Sequence, residues 1–261
     1  MTTLQDKVAV VTGSTAGIGG AIAGRLASYG AHVIITGRSM ETAEAAAAGI
    51  RAQGGRATPC RFDLEDPSTI ESLLSTVTTI DNRLDILVNN ALSRTVLPQV
   101  PIQDLEPLQL QVGVNTNFSN VLALTLKSYN LLKQTKGCVL NIGSVVVNRN
   151  IVGYAIYTII KGALTQSTRA LAAEWASEGI RVNQINPGFV MTDTLQKQLP
   201  PEHLAGFKEQ FSRMHPLGRI GEVQDVSSLA AYMVSDDASW MTGSVVDIDG
   251  GYSVQGLPAP G

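Results

Sequence analysis

Seven short β-branched runs alternate with helical, alanine-rich stretches along this chain, and that alternation limits the fold more than any other feature. The runs occupy residues 7–12, 32–36, 56–62, 84–89, 137–142, 180–186 and 244–248. Several are apolar on consecutive positions, as expected for strands covered on both faces. Between them, "AIAGRLASYG" and "METAEAAAAGIRAQ" read as helices, one ending at Gly30 and the other before Gly54 and Gly55. Repeated βα units imply a doubly wound parallel sheet of about seven strands with helices on both sides. With 261 residues, 44% of them hydrophobic, the chain can bury one large core. No linker or low-complexity segment divides it, so residues 1–261 are expected to form one domain. The segment at about 192–215 contains a Pro-Pro break and is a candidate lid, and the tail "QGLPAPG" is expected to be mobile.

A net charge of −3 with no basic block argues against a nucleic-acid or anionic-membrane surface. The start "MTTLQDKVAVV" has no apolar signal core, and no apolar run approaches spanning length. Cys60 and Cys138 form no CxxC pair, and nothing requires a disulfide between them. A cytoplasmic protein is expected.

Directly after the first strand comes "TGSTAGIG", residues 12–19. Gly13, Gly17 and Gly19 allow a tight turn and close approach to a pyrophosphate, with the next helix aiming its N-terminal amides at the charge. Strand before and helix after is the context that makes the pattern meaningful, and it gives the sheet a Rossmann-type reading. Binders of unphosphorylated dinucleotides place an acid at the end of the second strand. Here no Asp or Glu occurs between Asp6 and Glu41; the strand ends "TGRS", with Gly37 at the acid's place and Arg38 beside it. A guanidinium can fork onto a 2′-phosphate, so NADP(H) is the expected cofactor.

Two tyrosines stand four residues before a lysine: Tyr129 with Lys133, and Tyr157 with Lys161. Either pair shares one helical face. Each has a hydroxyl residue 13 places upstream, Thr116 and Ser144 respectively. Thr116 and Tyr129 fall within one expected helical stretch, 107–134, where 13 residues span about 20 Å. Ser144 instead follows the fifth strand, and the loop "VVVNRNIVG" lets the chain fold back. Ser144, Tyr157 and Lys161 can therefore meet at the carboxyl edge of the sheet, where such folds bind ligands. The other pair reads as structural.

In this order, "TGSTAGIG", Asp63, "NNA" (89–91), Asn115, Ser144, "YTIIK" and "NPGFVMT" (186–192), the chain resembles a single-domain short-chain dehydrogenase/reductase over nearly its whole length. The resemblance implies Tyr157 as proton donor to a substrate carbonyl or acceptor from an alcohol, and Ser144 as the group orienting that oxygen. Lys161 would lower the phenol's pKa and hold the nicotinamide ribose, and Asn115 would anchor a water leading towards Lys161. It also implies a cofactor held by Gly13, Ser14, Thr15, Gly17, Ile18 and Gly19, with Asp63 and Leu64 at the adenine and Asn89 on the ribose side. Pro187, Gly188, Val190 and Thr192 would hold the carboxamide. An ammonium about 4 Å from a phenol is worth about 4 kcal/mol at an effective dielectric near 20, enough to bring it near neutrality.

The chain departs from the family pattern at Leu92, where a glycine usual to the family would follow "NNA", and at Ala16, which is not basic. The lid's Leu195, Leu199, Leu204, Phe207, Phe211 and Met214, over a floor of Val145, Val146 and Phe189, suggest a hydrophobic or amphipathic carbonyl substrate. His203 and His215 lack a matching carboxylate or cysteine cluster, so no metal is expected. The expected activity is an NADP(H)-dependent carbonyl reductase, reversible as an alcohol dehydrogenase, assembled as a homodimer or homotetramer. Alternatives are a 3-oxoacyl-thioester reductase, whose carrier-protein substrate is disfavoured by Glu174 and Glu178 after Arg169 while a coenzyme A-bound one stays open, and a non-catalytic NADP(H) sensor. A halohydrin dehalogenase-like relative would have lost the glycine turn and the lysine; both are kept here.

Overall fold

A computed structural model describes residues 3–254; the tail 255–261 lies outside them. All seven strands expected from the sequence form, within two residues of the expected bounds. They are β1 (Val8–Val11), β2 (His32–Gly37), β3 (Arg56–Arg61), β4 (Ile86–Asn89), β5 (Cys138–Ile142), β6 (Arg181–Pro187) and β9 (Val245–Ile248). They make one parallel sheet in the order β3-β2-β1-β4-β5-β6-β9. The order reverses between β1 and β4, so a crevice opens above their carboxyl ends, the usual ligand position of such sheets.

Because successive strand residues face opposite sides, β1 alone serves two cores. Ala9 and Val11 pack with α1 (Gly17–Ser28), α2 (Met40–Ala52) and α10 (Val223–Val234). Val8 and Val10 pack with α3 (Thr69–Thr78), α5 (Asn120–Lys127), α6 (Tyr129–Thr135) and α7 (Ala155–Trp175). Gly30 and Gly54 adopt φ of 99° and 84° just past α1 and α2, the left-handed conformation that ends a helix cheaply only at glycine.

Two features differ from expectation. The stretch 107–134 is not one helix. It runs as α4 (Pro107–Val114), a wide π turn (Asn115–Ser119), α5, and α6 after a break at Ser128. A π turn carries one extra residue and changes which side chains face inward. The 192–215 excursion forms two helices, α8 (Asp193–Gln198) and α9 (Pro201–Arg213), divided at the Pro-Pro break. Its two ends are joined by a short parallel pair, β7 (Val190–Met191) with β8 (Gly221–Glu222). Two-residue strands are too short to leave a period in the sequence. Among the described residues no helix is long and apolar enough to cross a membrane.

Candidate active site

The turn after β1 is clamped from both sides. From β2, the Thr36 hydroxyl accepts from the Gly13 N–H (2.9 Å) while the Thr36 N–H donates to Ser14 Oγ (2.9 Å). From beyond β4, the Asn90 amide donates to the carbonyls of Thr12 (2.9 Å) and Gly13 (3.1 Å). Here the glycines are needed for space. A Cβ on Gly13 would stand 3.0 Å from Ala91 Cα, and one on Gly19 would overlap the Asn90 amide and the Gly13 carbonyl oxygen. Gly13 and Gly17 also have φ of 64° and 59°. Thr15 and Ile18 are partly buried beside them. The backbone cradle and the α1 N-terminus fit a pyrophosphate. At the end of β2, a Cβ on Gly37 would stand 2.7 Å from Thr15 Cγ2. Arg38 is exposed next to it, and Arg61 Nε donates to its carbonyl (3.3 Å).

Ser144, Tyr157 and Lys161 are brought together. Ser144 follows β5 and is buried; α7 carries the other two one turn apart. The Ser144 side chain lies near enough to the Tyr157 phenol to hold its pKa down, and Lys161 Nζ lies over the phenol ring, 5.7 Å from its centroid. That ammonium donates to the Ile142 carbonyl at 2.7 Å. The electrostatics differ from the sequence expectation. Burial pushes the phenol above its ordinary value, and Ser144 and the Arg94 charge offset this only in part. Burial also pulls the Lys161 ammonium down from 10.5 to about 8. The attraction between phenolate and ammonium is outweighed here by the cost of burying each charge.

The second Tyr/Lys pair is occupied elsewhere. Tyr129 packs against Trp175 with ring centroids 5.2 Å apart, and Lys133 pairs with Glu178 at 2.9 Å.

Asn115 is not brought to the group: it is exposed at the start of the π turn. Asn117, two residues on, is buried. Its Oδ1 accepts from the Ser93 N–H (2.7 Å) and its Nδ2 donates to the Ser93 carbonyl (3.0 Å). The sequence "NTN" offers both asparagines, and only the register of the π turn tells them apart.

Asn89 is also placed differently from expectation. Its side chain is buried in the sheet, where the amide donates to Thr125 Oγ1 and Asn141 Oδ1, both at 2.9 Å. It starts a chain of hydrogen bonds beneath the site. Asn141 donates to Thr168 (2.8 Å), Thr168 to Gln184 (3.1 Å), Gln184 to Asn186 (2.7 Å), and Asn186 to Asp247 (2.9 Å). Asn186 Oδ1 also accepts from the Ser144 N–H at 3.1 Å. This ladder crosses β4, β5, β6 and β9 and positions the serine backbone.

Asp63 and Leu64 follow β3. The Asp63 carboxylate accepts from the Glu65 N–H (3.0 Å), and the Leu64 carbonyl accepts from Asn120 (2.8 Å). Pro187 ends β6, and the Gly188 N–H donates to the Ile248 carbonyl (3.0 Å). A Cβ on Gly188 would meet Asp249 Cα at 2.8 Å, so only glycine lets β6 and the segment after β9 approach. Val190 lies in β7. Thr192 caps α8 by accepting from the Leu195 N–H (3.2 Å), and its methyl lies 3.5 Å from where a Gly17 Cβ would be. The loop after β6 thus reaches across to the glycine turn. Phe189 packs on Phe211 of α9 at 4.4 Å. His215 is buried behind them and bonds the Phe211 carbonyl through Nδ1 (2.6 Å), while His203 is exposed.

This geometry defines a nucleotide-type α/β fold with a serine, tyrosine and lysine gathered at its carboxyl edge. A family model described as "Enoyl-(Acyl carrier protein) reductase" matches residues 13–253. A tropinone reductase homolog of Arabidopsis thaliana is 35% identical over 256 residues, covering 97% of this chain and 96% of that protein. A 3-oxoacyl-(acyl-carrier-protein) reductase of Haemophilus influenzae is 36% identical over 252 residues, 95% of this chain and 98% of that one. Among solved structures, a 7α-hydroxysteroid dehydrogenase complexed with NADH and 7-oxo glycochenodeoxycholic acid superposes with a TM-score of 0.86 at 28% identity. It covers 95% of each chain. The chain belongs to the short-chain dehydrogenase/reductase family, whose members are oxidoreductases using a nicotinamide cofactor.

Proposed function

We propose that the chain is an NADP(H)-dependent carbonyl reductase acting on a hydrophobic or amphipathic substrate, with residues 1–261 as one catalytic domain. The observation that carries the reading is the convergence of Ser144, Tyr157 and Lys161: Ser144 acts on the phenol's pKa and Lys161 Nζ lies over the same ring. The cofactor would rest on the cradle of Gly13, Ser14, Thr15, Gly17, Ile18 and Gly19. Asp63 and Leu64 would lie at its adenine and Pro187, Gly188, Val190 and Thr192 at its nicotinamide. When bound, it supplies or accepts the hydride. Ser144 and Tyr157 hold the carbonyl oxygen between two hydroxyls, and Tyr157 gives its proton to that oxygen. Lys161, fixed on the Ile142 carbonyl, keeps a positive charge below the phenol. Asn117, in place of Asn115, fixes the Ser93 backbone beside the site.

A phenol held protonated by burial is ready to donate, so reduction is the direction that requires no prior ionisation. For NADP(H), the support is Arg38 beside Gly37 with no acid on β2. Exposed Leu126 on α5 and Ile159 on α7 support a homodimer or homotetramer. The two cysteines are unpaired and buried, in keeping with the cytoplasm. Reduction of a 3-oxoacyl thioester is a second reading, favoured by the acyl-carrier-protein reductases among the relatives. Acetoacetyl-CoA turned over far faster than free ketones would establish it in place of the first.

The test follows NADPH absorbance across a panel of ketones and aldehydes. Tyr157→Phe is expected to lower turnover by at least about 10²-fold, the scale of a lost general acid, with NADPH still quenching protein fluorescence. Tyr129→Phe is expected to leave turnover close to that of the parent. Equal losses from both, or a Tyr157→Phe enzyme as active as the parent, would overturn the assignment; the second result would fit a sensor.

A further inference from the structure

Beside the site, a cavity of about 510 Å³ opens between the 94–98 segment and α4. Its walls are apolar (Val96, Leu97, Leu108 and Val112), with Gln109 and one charge, Arg94, and no carboxylate lines it. The segment is held firmly. The Ser93 and Thr95 hydroxyls both donate to Glu65 Oε1, at 2.5 and 2.6 Å, and Asn117 holds the Ser93 backbone on its other side. Arg94, between the two hydroxyls fixed on Glu65, and Thr95 line the cavity.

Gly113 sets the depth of the contact with α4. A Cβ there would meet Ile156 Cγ2 at 2.9 Å, the Val96 carbonyl at 3.0 Å and Leu97 Cδ2 at 3.4 Å. Ile156 directly precedes Tyr157, so the cavity wall and the reacting phenol share one packing unit. Arg94 also lowers the phenol's pKa through its charge, which places the guanidinium within electrostatic reach of the catalytic tyrosine. Arg94 is exposed, and among the described residues its guanidinium has no hydrogen-bond acceptor and no ion-pair partner, as is also true of Arg25, Arg38 and Arg169; of these four, Arg94 alone lines this cavity.

We propose that Arg94 recognises an anion and that the substrate is an oxo-carboxylic acid, its apolar chain along Val96, Leu97 and Val112 and its carboxylate on the Arg94 fork. A planar guanidinium suits a planar carboxylate, onto which it can fork with two hydrogen bonds. This inference rests on the carbonyl-reductase reading and narrows its substrate.

Two measurements separate the inference from that reading. The first is binding of hexanoate and methyl hexanoate to the full-length enzyme and to Arg94→Gln, by calorimetry. The acid-over-ester preference is expected to fall about tenfold in Arg94→Gln, the scale of one charge-assisted contact, and to recover partly in Arg94→Lys. An unchanged preference, or stronger binding of hexyl phosphate than of hexanoate, overturns the proposal. The second compares kcat/KM for 5-oxohexanoate and methyl 5-oxohexanoate with NADPH. Reduction of both with equal efficiency by the parent enzyme and by Arg94→Gln sinks the carboxylate proposal and leaves the reductase standing. Loss of hexanoate binding in Arg94→Gln, with neither oxo compound reduced by the parent, keeps the anion site and sinks the reductase.

Discussion

Lys161→Met is expected to make the protein more stable at neutral pH while removing its activity. The Lys161 pKa falls from 10.5 to about 8 because the ammonium is buried. At about 1.4 kcal/mol per pH unit, keeping it charged in the folded state costs about 3 kcal/mol. Below pH 8 both folded and unfolded chains hold the proton, and the full cost is present. Between pH 8 and 10.5 the unfolded chain still binds a proton that the folded one has released, so stability rises with pH through that window. Above it the cost is gone. Methionine fills similar space without a charge but deprives the Ile142 carbonyl of its 2.7 Å donor, a loss of about 1 kcal/mol. The variant should therefore be about 2 kcal/mol more stable than the parent at pH 7 and about 1 kcal/mol less stable above pH 10.5. Urea unfolding at pH 7, 8, 9 and 10 can follow the fluorescence of Trp175, which is buried against Tyr129. The Tyr157 phenol titrates in both proteins and largely cancels in the difference. A Lys161→Met protein less stable at pH 7, or a difference that does not change with pH, would refute the burial argument.

Gly143→Ala should destabilise the chain by about 3 kcal/mol in urea. A Cβ there overlaps Asn186 Oδ1 and Gln184 Nε2, and moving Asn186 strips the Ser144 N–H of its acceptor. Gly24→Ala, in the middle of α1 with nothing within 4 Å of the new Cβ, should instead stabilise by about 0.5–1 kcal/mol; a Gly143→Ala enzyme of parental stability would contradict the ladder's tightness. Arg38→Glu should weaken NADPH far more than NADH in fluorescence titrations, and an unchanged ratio would mean the 2′-phosphate is read elsewhere.

The sheet was legible because parallel strands covered on both faces are written as short apolar runs, and all seven of those runs are strands. Ser144, Tyr157 and Lys161 were legible for a similar reason: a four-residue spacing on a helix and a serine after a strand need no tertiary knowledge to converge. The misreadings fall where geometry departs from regular periods. Asn115 and Asn117 are not told apart by the sequence because a π turn breaks the 3.6-residue count between them. Asn89 was expected at the cofactor, yet its side chain points into the sheet, and its neighbour Asn90 grips the glycine turn. A side chain's face at a strand end depends on a single residue of register, which the motif "NNA" does not carry. The elevated phenol pKa was invisible for a different reason, since desolvation depends on everything packed around a group.

The buried ladder explains how so exposed an edge can hold a serine steady. Catalytic edges of parallel sheets end in loops, and loops are the mobile part of such folds. Here the first residues past β5 are not left to the loop. Gly143 donates to the Ile185 carbonyl at 2.7 Å, and Ser144 donates to Asn186, whose own amide is fixed by Asp247 and in turn by Asn148. The amides of Gln184 and Asn186 are held because releasing either would leave a buried polar group unpaired, at about 1–3 kcal/mol. Apolar side chains in the same places would pack as well, but they could not dictate where the Ser144 N–H points. The polar residues at 184 and 186 therefore contribute direction rather than net stability, and their effect reaches the substrate through a backbone hydrogen bond that the reaction itself never breaks.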